Sequence, residues 1–434
     1  MSRLRWKLVI TAMTILILCT GLAAGCKPEE GAVSEPSPSN PDQPQAEGKQ
    51  TLVVLTNRVD LVENGVFQKY ADQFQKSHPE AVVEFDAPAN YTSDVLVRLS
   101  TRTMGDVLLL PNNITNEELA NYFEPLDAEM FEGMRFADYK AYNGVRYGLT
   151  TGISTEGIVY NKKAFEKAGI TDIPTTLDEF YMACQQLKQA GILPIYLNYG
   201  AQWPMLEWGE NLVGSMAGDA GYLNNMVYTD APWQLDNPWG KAIGIVKTLI
   251  GHGYTEKDLI SNNWEMSKSQ IAGGQVAMYF LGNWVIKQVI DAGADSSEIG
   301  FFPFPYDNKA DKRYVALSPD WFVGVSKFSE NKELAKEWIE FFVKESGYVN
   351  DSGFLPVEQT KTSELPQLKQ FQTFNPIYLE RQSPSDNFLK LGDKAQIAFW
   401  SGDYIQEFIA AADLKQAFRS YNEKWAEARK LIAP

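Results

Sequence analysis

The first strong pattern is the run Thr51-Leu52-Val53-Val54-Leu55-Thr56, β-branched and apolar throughout, which predicts a buried strand. A 3.6-residue period follows, with Val66, Phe67, Tyr70, Ala71 and Phe74 on one face until Pro79 ends the helix. Residues 81–85 repeat the strand pattern, 93–103 the helical one through Val95, Leu96 and Leu99, and 106–110 give a third strand. A β-α-β-α-β order predicts a parallel sheet with right-handed crossovers, and such sheets bind ligands beyond the carboxyl ends of their strands. Those ends carry Asn57 and Arg58 after the first strand and Asn112 and Asn113 after the third, groups able to hydrogen-bond a hydroxylated ligand.

The alternation resumes downstream and predicts a second α/β lobe. Thr176-Leu177-Asp178-Glu179 fits a capping box at a helix start, and Gly191 is placed to close that helix. A short strand over 194–198 leads into a loop bearing Trp203 and Trp208. Residues 275–280 read as a buried strand, Gly282-Asn283-Trp284 as the turn into a helix, and 299–303 as the next strand. The chain ends mainly helical, over 331–343 and across most of 386–432.

The amino terminus has a different pattern. Arg3, Arg5 and Lys7 precede an uncharged stretch from 8 to 25, the basic and apolar regions of a signal peptide. Ala23-Ala24-Gly25 before Cys26, with Leu22 upstream, resembles the lipobox of exported lipoproteins, so Cys26 is expected to be acylated. The competing reading is a transmembrane anchor. Residues 27–49 are Pro, Ser, Glu, Gln and Asn with almost nothing apolar, the composition of a disordered spacer. The remainder is long enough for roughly two domains.

Composition narrows the chemistry. The chain carries a net charge of −16, and loss of the three basic residues of the leader leaves −19, which disfavours nucleic acid and anionic lipid surfaces. Of three cysteines, Cys19 leaves with the leader and Cys26 is the lipid site, so Cys184 is alone and no disulfide is available to the mature monomer. Its helical spacing from Phe180 and Leu187 predicts a buried apolar role. No phosphate-binding glycine loop, zinc-protease helix or nucleophile elbow occurs, and only His78 and His252 are present. No cofactor, metal or catalytic residue is expected.

Several segments carry a family resemblance in order along the chain. Asn143-Gly144-Val145-Arg146-Tyr147-Gly148, 158–169 around Tyr160-Asn161-Lys162, and 174–180 around Pro174-Thr175-Thr176 come first. Gly274-Gln275-Val276-Ala277-Met278, Gly282-Asn283-Trp284, Phe302-Pro303-Phe304-Pro305 and 331–338 follow. They resemble the signatures of bacterial extracellular solute-binding proteins of ABC importers, the family 1 class that serves maltose and other sugars. The resemblance implies an α/β, two-lobed periplasmic-binding-protein-like fold of type II, each lobe a mostly parallel sheet flanked by helices, with the ligand cleft between them and hinge closure around it. It places crossovers near 150–153, 306–317 and 354–358. The lobes would then be 50–151 with about 312–354, and 152–311 with about 355–434. It implies a carbohydrate ligand and a membrane permease as partners, a monomer, and a place on the outer face of the cytoplasmic membrane held by the lipid alone. A tether is most needed in a Gram-positive-type envelope.

A sugar presents hydroxyls at its rim and C–H patches on its faces, so its site needs aromatic platforms among oriented polar groups. Eleven tryptophans are present, and those in loops are the candidates. Trp284 matches the family's glycine-tryptophan turn. Trp203 and Trp208 lie in the loop after the 194–198 strand, where core packing is the competing role. Trp264 precedes a helix, and Trp321 follows Asp320 near the second crossover. Asn57, Arg58, Asn112, Asn113, Glu156 and Asp320 are the polar candidates, against ordinary turn and cap roles. Trp338 and Trp425 fall on helix faces and read as core. A secreted glycan hydrolase and a sensor on the same fold are the rival functions.

Overall fold

The computed structural model describes residues 49–432 apart from 89 and 311. The leader, Cys26 and the spacer up to 48 lie outside the described residues. No described helix is long and apolar enough to cross a membrane.

Two sheets organise the chain. The first has the order Ala81–Asp86, Gln50–Leu55, Val107–Leu109, Phe322–Val325, Leu149–Thr150. Its first three strands are parallel, with Gln50 opposite Ala81 and Val54 opposite Val107, as the alternation predicts. Phe322–Val325 joins antiparallel to both neighbours. The helix Val66–Phe74 buries Phe67, Tyr70, Ala71 and Phe74 on it, and Lys332–Lys344 buries Leu334, Trp338, Ile339 and Phe342. Phe74 meets Trp338 edge-on with ring centroids 5.2 Å apart. Each such buried aromatic or aliphatic side chain contributes roughly 1.5–3 kcal/mol.

The second sheet runs Ile377–Glu380, Tyr314–Pro319, Ile153–Asn161, Val276–Gly282, Leu193–Ile195, with Ile299–Phe302 also pairing with Ile153–Asn161. This sheet is mixed, where a mostly parallel one is predicted. Every residue of Ile153–Asn161 is buried, and the strand is antiparallel to three neighbours. The reason is the route of the chain. This strand enters from the first lobe and runs away from the junction, whereas its three neighbours run toward it. Flanking helices follow the predicted signals: the capping box at Thr176 and Glu179 forms, Gly191 adopts φ of 75°, and Cys184 is fully buried.

The chain passes between sheets at 151–152, 320–321 and 353–354. The middle passage differs from the expectation of about 312, because Tyr314–Pro319 pairs in the second sheet, Leu317 opposite Thr155. The three passages are tied to one another. Thr151 N donates to Trp321 O at 2.8 Å, Asp320 N to Gly152 O at 2.9 Å, and Leu355 N to Ile153 O at 2.8 Å. A Cβ on Gly152 would fall 2.5 Å from the Phe354 ring, so only glycine lets these strands approach. Asn283, fully buried, clamps the group: its Oδ1 accepts from Thr155 N at 2.7 Å and its Nδ2 donates to Gly353 O at 2.6 Å.

Candidate ligand cleft

The second lobe carries an aromatic wall at its end of this junction. Trp284 is the first residue of the helix Trp284–Asp291, one residue beyond the strand Val276–Gly282, and Trp264 opens the helix Trp264–Ala272. Trp203 lies in the turn beyond Asn198. Ring centroids are 5.1 Å apart for Trp203 and Trp264, 5.5 Å for Trp203 and Trp284, and 6.0 Å for Trp264 and Trp284. All three are half-buried and mutually tilted, so indole surface remains free. Lys268 Nζ sits 5.0 Å above the Trp264 ring. Trp208 does not join them. It is 1% exposed and packs 4.7 Å from Phe280 and 5.4 Å from Phe304, because the helical turn that holds it points it into the core.

Across the junction the first lobe presents Arg58, Asp320 and Trp321. Arg58 Nε and Nη2 donate to Asp60 at 2.8 and 2.7 Å, and Nη1 donates to Ser352 Oγ at 2.9 Å. Burial alone would lower the guanidinium's pKa, but Asp60 raises it, and Arg58 in turn holds the Asp60 carboxyl below its ordinary value against burial. Asp320 stands in the middle passage, where burial pushes its carboxyl up to about 7 despite Arg58, the Trp321 amide and Thr151. Half-buried Trp321 meets Tyr91 edge-on at 5.5 Å. Asn57 and Asn112 are half-buried at the strand ends, while Asn113 is exposed. Lys140 is 3% exposed with Nζ 3.5 Å from Pro111 O, and burial lowers its ammonium to about 8.

Glu156, alone among the polar candidates, enters a buried acidic nest. Its register partner is Gly282, two residues before Trp284. Asn211 Nδ2 donates to Glu156 Oε1 at 3.4 Å and to Glu207 Oε2 at 2.6 Å, and Asn211 Oδ1 accepts from Arg381 Nη1. Arg381 Nη2 lies 3.7 Å from Glu210 Oε2, and its guanidinium covers the Trp400 ring at 5.3 Å. Glu210 Oε1 accepts from Tyr404 Oη at 2.9 Å and the Trp400 amide at 3.2 Å. Burial raises all three glutamates above the usual carboxyl range, with Glu207 adding to the rise at Glu156 and Arg381 opposing it at each. From the first lobe Tyr139 O accepts from Ser383 Oγ at 2.9 Å, so the lobes meet beside the nest.

Glu207, Glu210, Asn211, Arg381 and Trp400 are absent from the sequence-derived set. A signal existed for the first three: two acids and an amide in Glu207-Trp208-Gly209-Glu210-Asn211, followed by apolar Leu212 and Val213. That segment forms a π-helical turn, a geometry frequent at functional sites. Trp400, with φ of 74°, is a backbone outlier for a bulky residue, which no sequence pattern announces. The arrangement offers apolar platforms beside dense acceptors. Among the described residues no group of three or more His, Cys, Asp or Glu has the arrangement of a metal site.

Residues 60–348 match the model of the bacterial extracellular solute-binding protein family. A binding protein of an ABC transporter from Bifidobacterium animalis subsp. lactis, solved with mannobiose, superposes with a TM-score of 0.79 at 26% identity, covering 88% of this chain and 95% of that one. A manno-oligosaccharide specific solute-binding protein of the same organism, solved with mannotriose, gives 0.80 at 25% identity, covering 89% and 96%. An uncharacterized ABC transporter extracellular-binding protein of Pyrococcus horikoshii is 23% identical over 365 residues, 80% of this chain and 79% of the relative.

Proposed function

The chain belongs to the family of bacterial extracellular solute-binding proteins, and from that premise we propose that it captures a sugar or short oligosaccharide in the cleft between its lobes. The Trp203, Trp264 and Trp284 wall beside the hydrogen-bonding nest carries this reading. Half-buried indoles give platforms for the C–H faces of sugar rings, and the neighbouring carboxyls and amides suit their hydroxyls. The sugar complexes of the two Bifidobacterium relatives support the same ligand class.

In this proposal the passages at 151–152, 320–321 and 353–354 act as hinges, and ligand shifts the protein toward the closed state through contacts that only closure makes. The lipid at Cys26 and the spacer keep the loaded protein near a membrane permease that accepts its cargo. The bound sugar is released unchanged.

Thermal shift and tryptophan fluorescence over a panel of neutral mono-, di- and trisaccharides test this, with product analysis beside each. We expect saturable binding without turnover and compaction in small-angle scattering at saturation. Trp284→Ala should weaken the best ligand about 100-fold, roughly 2–3 kcal/mol for one lost stacking platform. A cleaved glycan would replace capture with hydrolysis. Undiminished affinity in the variant would remove the aromatic wall from the site.

A further inference from the structure

Three carboxyls of the nest, Glu156, Glu207 and Glu210, are each less than a tenth exposed, yet they share the single guanidinium of Arg381. After every internal hydrogen bond is made, Glu156 Oε2, Glu210 Oε2, Ser318 Oγ, Trp400 Nε1 and Arg381 Nη2 remain buried without one, and Glu210 Oε2 and Arg381 Nη2 face each other only as an ion pair at 3.7 Å. Glu210, Asn211, Arg381 and Trp400 line a cavity of about 30 Å³ together with Gly214 and Ala316. That is room for about two waters or one small polar group. Buried polar atoms without hydrogen bonds are costly, so the three that belong to residues lining this cavity, Glu210 Oε2, Trp400 Nε1 and Arg381 Nη2, indicate that something else completes them.

We propose that the Glu156, Glu207, Glu210 and Arg381 nest is a charge-selective subsite that takes one neutral hydroxyl of the bound saccharide into the cavity between Glu210, Arg381 and Trp400 and excludes an acidic group there. The proposal rests on the reading of the cleft as a carbohydrate site. A hydroxyl suits these atoms because it donates to an unpartnered carboxylate oxygen and accepts from the Trp400 indole or Arg381. A uronate brings a carboxylate to a place where burial already disfavours negative charge on three carboxyls and Arg381 is the one guanidinium opposing that effect. The surrounding groups do not relieve this imbalance. Tyr404 already donates to Glu210, Tyr139 is uncharged across the junction, and Asp219 at the cavity wall adds negative charge.

The test compares mannotriose, cellotriose and maltotriose with their fully C6-oxidised, uronate counterparts by titration calorimetry at pH 7.5. At least one neutral trisaccharide should bind at least 100-fold more tightly than its uronate form. In a Glu156→Gln, Glu207→Gln double variant, which keeps side-chain shape, that ratio should fall below tenfold, and circular dichroism should confirm the fold. Uronates binding as well as their neutral partners would overturn the exclusion and leave sugar capture standing. Discrimination surviving in the variant would place selectivity elsewhere and likewise overturn the proposal. Failure of every trisaccharide, with no response to smaller sugars, would sink the capture reading and this inference with it.

Discussion

The two walls of the cleft are built from similar residue types but finished differently. On the first lobe, Arg58 spends its guanidinium on Asp60 and Ser352, so charge is neutralised within the wall. On the second, Arg381 faces three buried carboxyls, and acceptors and donors are left over. A protein optimised for stability alone would not leave such atoms unpaired, since each lowers stability. In the proposed reading, the second lobe is the wall that receives the ligand, and the first is the surface that closes on it.

The sharpest way to break the contrast is Arg381→Leu, which strips the nest of its only cation. Removing one partner of a buried ionic group costs about 3–5 kcal/mol, against little for a comparable change on the first wall. The sign with pH follows from the raised carboxyls. The native state holds more protons than the unfolded chain between the ordinary carboxyl range and the raised values, so stability falls as pH rises through that window. Loss of Arg381 raises those values further. Urea unfolding should therefore show a larger deficit at pH 7.5 than at pH 5.5, and an equal deficit at both would mean that the nest is not charge-limited.

How much of this was legible in the sequence depends on the range of the interactions. The strand Gln50–Leu55, the capping box at Thr176 and the Asn283-Trp284 turn were readable because hydrophobic period and cap chemistry are local. Trp203, Trp264 and Trp284 were each identifiable as loop or helix-start tryptophans. Their meeting was not readable, since 81 residues separate the first from the last and only the sheet register joins them. Trp208 failed for the opposite reason: one residue of helical phase decides between cleft and core. Arg381 lies 170 residues from Asn211, and nothing local distinguishes it from a surface arginine.

Two groups on the first wall depart from this neutrality, Asp320, whose carboxyl burial pushes up to about 7, and Lys140, which offers the next largest effect. Its ammonium has one carbonyl at 3.5 Å, and burial lowers it to about 8 from 10.5. Between those values the native state binds fewer protons than the unfolded chain, so the cost is fully present at pH 7 and disappears toward pH 10. Lys140→Met, similar in length and free of charge, should stabilise the protein by about 1–3 kcal/mol at pH 7 and by little at pH 10. A drop in melting temperature at pH 7 instead would show that the ammonium has a use in the folded state, which would make this wall resemble the other.

The smallest effect should come from Asp60→Asn. Asp60 is 49% exposed and Arg58 14%, so water screens the pair from one side, and Arg58 keeps its bond to Ser352 when the charge is removed. Pairs of this kind contribute about 0.2–1 kcal/mol, and added salt reduces the share that remains. The expected change in urea midpoint is correspondingly small, and smaller still in 0.5 M salt. If Asp60→Asn cost as much as Arg381→Leu, the first wall would also be holding a charge it cannot neutralise alone. The unpaired atoms of the second lobe would then mark a property of the whole junction, and the assignment of the ligand-gripping role to one lobe would fall.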